Sequence, residues 1–208
     1  LESNEQLTIY LEGENSQYFR FNDSKLRQSG IIEDYAVTIS LFSGKKSLQS
    51  ATTVSSDIES SVNNLTNEIN ALRNPLSLIP DNEFTSFPDN FDSVEIIKSG
   101  QLPDRNEILD ALMDIITKDY LTGVWTSGKI FRACSTSEGA NHWFEKDSFI
   151  FDFSLIDKKE NMVKVLFPGN CWDKSKFNAA FEEASDKLKL MNKPKMELKP
   201  GKYRVWFE

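Results

Sequence analysis

Histidine, cysteine and basic character are all scarce in this chain. Its 208 residues include one histidine, His142, and two cysteines, Cys134 and Cys171. A catalytic metal needs three or so His, Cys or carboxylate ligands within about 2 Å of one ion. Two cysteines cannot supply a disulfide framework, and their spacing matches no zinc motif, so no metal is expected within the chain. They read as free thiols, buried or half-buried, in a reducing compartment. No stretch approaches the roughly 20 apolar residues that cross a bilayer, and the start lacks a basic region followed by an apolar one. A cytoplasmic, membrane-free protein is the expectation. The first residue is Leu1, which suggests that a leader or tag has been removed.

Phosphate-binding signals are missing as well. Gly123, Gly128 and Gly139 are separate turn glycines, and no Lys-Ser/Thr pair follows them as in a P-loop. Acidic residues outnumber basic ones by 32 to 24, giving a net charge of −8 and a pI of about 4.9. Lysines occur in pairs, Lys45-Lys46 and Lys158-Lys159, and form no stripe, so direct nucleic-acid binding is excluded. Asn22-Asp23-Ser24 and Asn64-Leu65-Thr66 fit glycosylation acceptors, but in a cytoplasmic protein such matches arise by chance.

What is present is a well-furnished globular composition: 39% hydrophobic, 27% charged and fifteen Phe, enough bulky apolar side chains for a core. The pattern falls into two similar halves, each a run of strands followed by an amphipathic helix. Residues 7–11 and 16–21 have β-propensity and are separated by Gly13-Glu14-Asn15, a turn composition. A strand over 32–43, with Tyr35, Val37, Ile39 and Leu41 on one face, returns through Gly44 as a strand over 47–54. Ser56-Asp57-Ile58-Glu59 then has the capping-box form, with Ser56 as cap. Ile58, Val62, Leu65, Ile69 and Leu72 make one apolar stripe on the helix that follows, and Pro75 should end it.

Residues 74–102, with Pro75, Pro80 and Pro88 among several Asp and Asn, read as a linker. A second helix begins at Asp104, with a broad apolar set of Ile108, Leu109, Leu112, Met113, Ile115 and Ile116. Strands follow near 122–126, 129–136, 143–156 and 161–167, with turns at Ser127-Gly128, Glu138-Gly139 and 157–160. Phe149, Phe151, Phe153 and Leu155 share one face and need a cover. A third helix over about 173–191, capped by Asp173, supplies it with Phe177, Phe181, Ala184 and Leu188. The expected fold is therefore α+β: two antiparallel sheet units, each backed by one or two helices, in a loose repeat. The units are 1–73 and 103–208, joined by the linker 74–102. Pro200 to Glu208 reads as a turn entering a strand that stops abruptly, which suggests a polypeptide that continues.

Several segments in this order resemble the TldD/PmbA family, the modulator-of-DNA-gyrase or peptidase-like proteins. Tyr18 to Asn22 with Lys25 to Gln28 is similar to the family's early Arg-containing hairpin. Tyr35 to Thr53 resembles its strand–Gly–strand unit leading into a long helix, and Pro200 to Phe207 its exit into a C-terminal domain. Ser137-Glu138-Gly139 is similar to its hairpin tip, although Ser137 stands where the family often has Asn. The Asp57 helix start and the Asn74-Pro75 ending look closer to the PmbA branch. The resemblance implies an N-terminal scaffold domain that lines a substrate chamber, with a family member as homo- or hetero-dimer partner. A peptide or unfolded protein segment is the implied substrate. In the TldD branch a His-Glu-x-x-x-His helix holds a zinc-type metal in the C-terminal domain; the PmbA branch lacks it and serves as partner subunit. No such motif occurs here.

No residue of this chain is expected to be catalytic. If Ser137 to Ala140 forms a hairpin, Cys134 and His142 lie opposite each other, the placement a thiolate–imidazole pair would need. The same placement arises for any two residues flanking a tight loop, and no third, orienting group is evident. A small Cys-dependent hydrolase and a stand-alone peptide-binding module remain the alternatives. Trp143 and Phe144, just past the hairpin tip, are the candidate contacts for a peptide or partner. Trp125 and Trp172 are weaker candidates of the same kind.

Overall fold

The computed structural model describes residues 1–89, 91–116, 120–194 and 196–206 and, of Ile116, only the backbone. In chain order the elements are β1 (Glu5–Asn22), β2 (Lys25–Ser43), β3 (Lys46–Thr53), α1 (Ile58–Leu78), β4 (Val94–Lys98), α2 (Arg105–Ile116), β5 (Tyr120–Thr136), β6 (Asn141–Ile156), β7 (Met162–Gly169) and α3 (Lys174–Leu190). The strands form a mixed, mostly antiparallel sheet in the order β3-β2-β1-β5-β6-β4, with β7 also paired to β6. The class is α+β. The two units do not form separate sheets, because β1 pairs along most of its length with both β2 and β5.

That double pairing explains where local composition misled. Gly13-Glu14-Asn15 is the middle of an 18-residue strand, not a turn. Gly13 is there because the Tyr35 ring of β2 lies against it: a Cβ would come within 2.6 Å of Tyr35 Cδ1 and 2.8 Å of the Asp34 carbonyl oxygen. Ser127-Gly128 likewise sits inside the continuous strand β5. At Gly128 a Cβ would meet the Asn15 oxygen at 2.3 Å and Ser16 Cα at 2.4 Å, so glycine permits close approach of β1 and β5. The actual β1–β2 turn is Asp23-Ser24, both at positive φ (52° and 54°), the backbone twist that two-residue hairpins favour.

Side chains alternate across the strands, and β1 meets β5 without a register shift. Leu7, Ile9 and Leu11 therefore share a face with Phe19. The first three pack with Val37, Ile39 and Leu41 of β2 and with Leu72 and Leu76 of α1. Phe19 and Phe21 belong to a second cluster with Trp125, Phe151, Phe153 and the apolar sides of α2 and α3. Each helical pack thus covers one end of the same side of the sheet, and among the described residues no helix packs on the opposite side. In the second pack Phe151 and Phe153 stack at 4.5 Å between centroids. The Trp125 indole N–H donates to the Ser127 hydroxyl at 3.2 Å.

Helix α1 departs from expectation at both ends. Its N-cap is Asp57, whose carboxylate accepts from the Ser60 amide at 3.2 Å, so Ser56 is not the cap. Pro75 lies inside the helix, which continues to Leu78. Proline removes one helical hydrogen bond and clashes with a carbonyl a turn earlier; burial of Leu72 and Leu76 on either side of it holds the last turn against the sheet. The apolar stripe is covered only from Leu65 onward: Ile58 and Val62, at the other end, are exposed. A bidentate ion pair fixes this helix to the start of β1. Arg73 Nε and Nη2 donate to Glu5 at 2.7 and 2.9 Å, and that interaction holds the Glu5 carboxyl at about 2, far below the usual range.

Helix α2 is capped by Asp104, which accepts from the Asn106 and Glu107 amides at 2.8 Å. Ile108, Ala111, Leu112 and Ile115 are buried, while Met113 is exposed. Asp173 caps α3, and the helix buries Phe177, Phe181, Ala184 and Leu188. Hydrogen bonds from Ser175 and from the Lys176 amide hold the Asp173 carboxyl low. The stretch 74–102 is more than a linker, since it contains the last turn of α1 and strand β4. Residues 200–206 form no strand; Phe207 and Glu208 lie outside the described residues. No helix among the described residues is long and apolar enough to cross a membrane.

Candidate functional site

The β5–β6 hairpin brings the candidate residues to one end of the sheet. Thr136 and Ala140 close its tip through the Thr136 amide and the Ala140 carbonyl at 3.0 Å. This sets Cys134 directly opposite His142, with Tyr10 of β1 on the other side of Cys134. Trp143 and Phe144, being consecutive in β6, point to opposite sides of the sheet. Both are half-buried.

Trp143 is on the helix-bearing side. It pairs in register with Ala133, which pairs with Leu11. It is also the end of an aromatic row across four strands: its ring lies 5.9 Å from Phe131, and Phe131 lies 5.9 Å from Tyr35 above Gly13. Beside Trp143 is a cavity of about 460 Å³ whose walls include Ile9, Leu11, Ala133 and Val94, with Ser93, Ser135 and Asn141 at its polar end. The Ser135 hydroxyl donates to the Asn141 side-chain oxygen at 2.7 Å, and the Asn141 amide donates to the Ser93 hydroxyl at 3.1 Å. An apolar pocket with a few polar groups at one end suits an apolar side chain or small ligand.

Phe144 is on the opposite side, in register with Arg132. A smaller groove of about 210 Å³ runs there between Tyr10, Arg132, Cys134, His142 and Phe144 and the β4 residues Val94 and Ile96. Arg132 faces Glu12 at 3.7 Å. Further along the helix-bearing side Lys129 pairs with Glu145, which raises the Lys129 ammonium.

The structure therefore brings Cys134, His142, Trp143 and Phe144 into one region. It separates the other candidates from them. Trp125 is fully buried in the second core, and Trp172 packs edge-on against it at 5.6 Å, so both are core residues. Cys171 is exposed rather than buried; it sits beside Gln101 in an isolated parallel bridge. Among the described residues no group of three or more His, Cys, Asp or Glu is placed to hold a metal ion. The feature that sequence reasoning missed is β4. Val94 to Lys98 lie parallel to His142 to Lys146, on the edge next to Trp143 and Phe144. The signal for it was the run Val94, Ile96, Ile97, short and set in a Pro/Asp-rich stretch.

No family model and no curated protein matches the sequence. Solved structures do match in fold. A protein described as a proposed modulator of a DNA gyrase, from Thermotoga maritima, superposes with a TM-score of 0.58 at 12% identity, over 88% of this chain and 44% of its own. TldE from Thermococcus kodakarensis gives the same values. A second proposed modulator of DNA gyrase, from Bacteroides thetaiotaomicron, gives a TM-score of 0.56 at 10% identity, over 88% of this chain and 45% of its own. The chain thus has the fold of part of these proteins and spans less than half of their length.

Proposed function

We propose that this chain is the N-terminal scaffold domain of a TldD/PmbA-like peptidase or of its metal-free partner subunit. It shapes one wall of a substrate chamber and supplies no catalytic group of its own. The observation that carries this reading is the fold likeness over 88% of the chain to proteins more than twice as long, one of them TldE. In this reading Trp143 and Phe144 are contacts for a peptide or unfolded protein segment, flanked by the cavity and the groove. The parent protein works as a dimer with a family member, in the cytoplasm.

Two measurements test the reading. The isolated chain, assayed with unstructured peptides with and without added Zn²⁺, should show no hydrolysis; turnover by the chain alone sinks the proposal. Reading the codons that follow Glu208 separates the branches. A His-Glu-x-x-x-His motif within a few dozen residues means the metallopeptidase subunit, and its absence means the partner. The register of Cys134 against His142 is what a small Cys-dependent hydrolase would use. That alternative requires the Cys134 thiol to be alkylated at a pH well below that of a free thiol.

A further inference from the structure

One edge of β6 has two occupants. β7 pairs with it from Phe149 to Ile156, and β4 from His142 to Lys146. They are held very differently. β7 is antiparallel, eight residues long, and turns Val163, Val165 and Phe167 toward the aromatic core. β4 is parallel and five residues long, and every one of its residues is exposed. No side chain of β4 is buried to reinforce its backbone ladder, and parallel pairing is the weaker kind. Polar contacts hold its ends, among them the Asn141 amide donating to Ser93 Oγ at 3.1 Å and the Gly100 amide donating to Asp147 Oδ2 at 3.1 Å. Beyond Gly100 the chain is knitted to the second core by Gln101, which exchanges backbone bonds with Asn170 and Trp172 at 2.7 and 2.8 Å. The stretch between these anchors can therefore leave β6 without disturbing α1 or α2.

We propose that β4 is a detachable strap: it occupies, within the chain, an edge of β6 that an extended segment of another polypeptide can take in its place. This deepens the peptide-contact reading of Trp143 and Phe144 and rests on it. Release of β4 frees the outward N–H and C=O groups of His142 to Lys146 and removes Val94 from the walls of both the cavity and the groove. An incoming strand would be held through its main chain, with side chains selected at alternate positions. The fitting chemistry is the one β4 itself supplies: branched apolar residues at every second position, as Val94 and Ile96, facing Phe144 and Tyr10.

The test uses the whole chain and, as probe, an end-blocked, dye-labelled peptide copying residues 92–99. When only the open form binds, the apparent dissociation constant is the intrinsic one divided by the open fraction. Asp147→Ala removes one pin and lies just beyond His142 to Lys146, the stretch that residues 94–98 of the peptide would pair with. It should raise hydrogen exchange at the amides of residues 94–98 about tenfold, leave the β5–β6 ladder unchanged, and tighten peptide binding by the same factor, about tenfold. Ile97→Cys with Glu145→Cys, register partners and neither a proposed peptide contact, in a Cys134→Ser, Cys171→Ser background, should abolish binding when oxidised and restore it when reduced. Peptide binding that persists in the oxidised variant means addition to the outer edge of β4; the strap then falls while the peptide-contact reading stands. Exchange of 94–98 only together with the β5–β6 ladder overturns the strap alone. Faster exchange with no peptide binding in any variant overturns both.

Discussion

The Glu5–Arg73 pair offers the most direct measure of how α1 is held to the sheet. Glu5 is only 5% exposed, and both its oxygens accept from Arg73. Its carboxyl drops from an ordinary 4.5 to about 2 in the folded chain. At about 1.36 kcal/mol per unit that difference corresponds to roughly 3.4 kcal/mol. Arg73 remains 28% exposed, so water and salt screen the pair; we keep about 1.5 kcal/mol. With an m-value of about 2.5 kcal/mol/M, Glu5→Gln should lower the urea midpoint by about 0.6 M near neutral pH. The folded value lies below the unfolded one, so the stabilisation is complete above pH 4.5 and is lost as pH falls toward 2. More than half of the difference between wild type and Glu5→Gln should be gone by about pH 3. Urea titrations followed by far-UV circular dichroism at several pH values measure this directly. Equal midpoints near neutrality, or a difference that does not shrink with acid, would refute the argument.

Other expectations follow from local geometry. Gly128→Ala places a Cβ 2.3 Å from the Asn15 oxygen and should destabilise by about 2–4 kcal/mol. Gly44→Ala has nothing near it at φ 57° and should cost only about 1–2 kcal/mol, so thermal melts should rank the two variants in that order. Asp57→Ala should cost about 1 kcal/mol through loss of the α1 cap, with Ser56→Ala nearly neutral; the reverse ranking would restore Ser56 as the cap. Phe151→Ala, removing a ring stacked at 4.5 Å on Phe153, should cost about 3–5 kcal/mol in chemical denaturation.

The helices were legible because their apolar residues recur with a helical period. The spacing of Phe177, Phe181, Ala184 and Leu188 marks the buried side of α3, and Asp173 marks its cap. Pro75 was misread because its intrinsic effect is real but is outweighed by the burial of Leu72 and Leu76. The long strands were misread for a different reason. Gly13 and Gly128 are punctuation only if their neighbours are ignored, and the neighbours that require them, Tyr35 and Asn15, lie on other strands. The site was half legible. Cys134 opposite His142 follows from the hairpin tip alone, whereas β4 shows locally only as the short run Val94, Ile96, Ile97, and its pairing with β6 is a contact across some fifty residues.

The placement of β1 also bears on how the chain is built. Residues 5–53 can pair among themselves as synthesis proceeds, and α1 can settle on them soon after. The second edge of β1, from Thr8 to Phe21, has to wait for Gly123 to Thr136, over a hundred residues later. During that interval a long strand with no partner on one flank is open to the wrong neighbour. A nascent chain stalled before β5 emerges is therefore the form of this protein most in need of a chaperone.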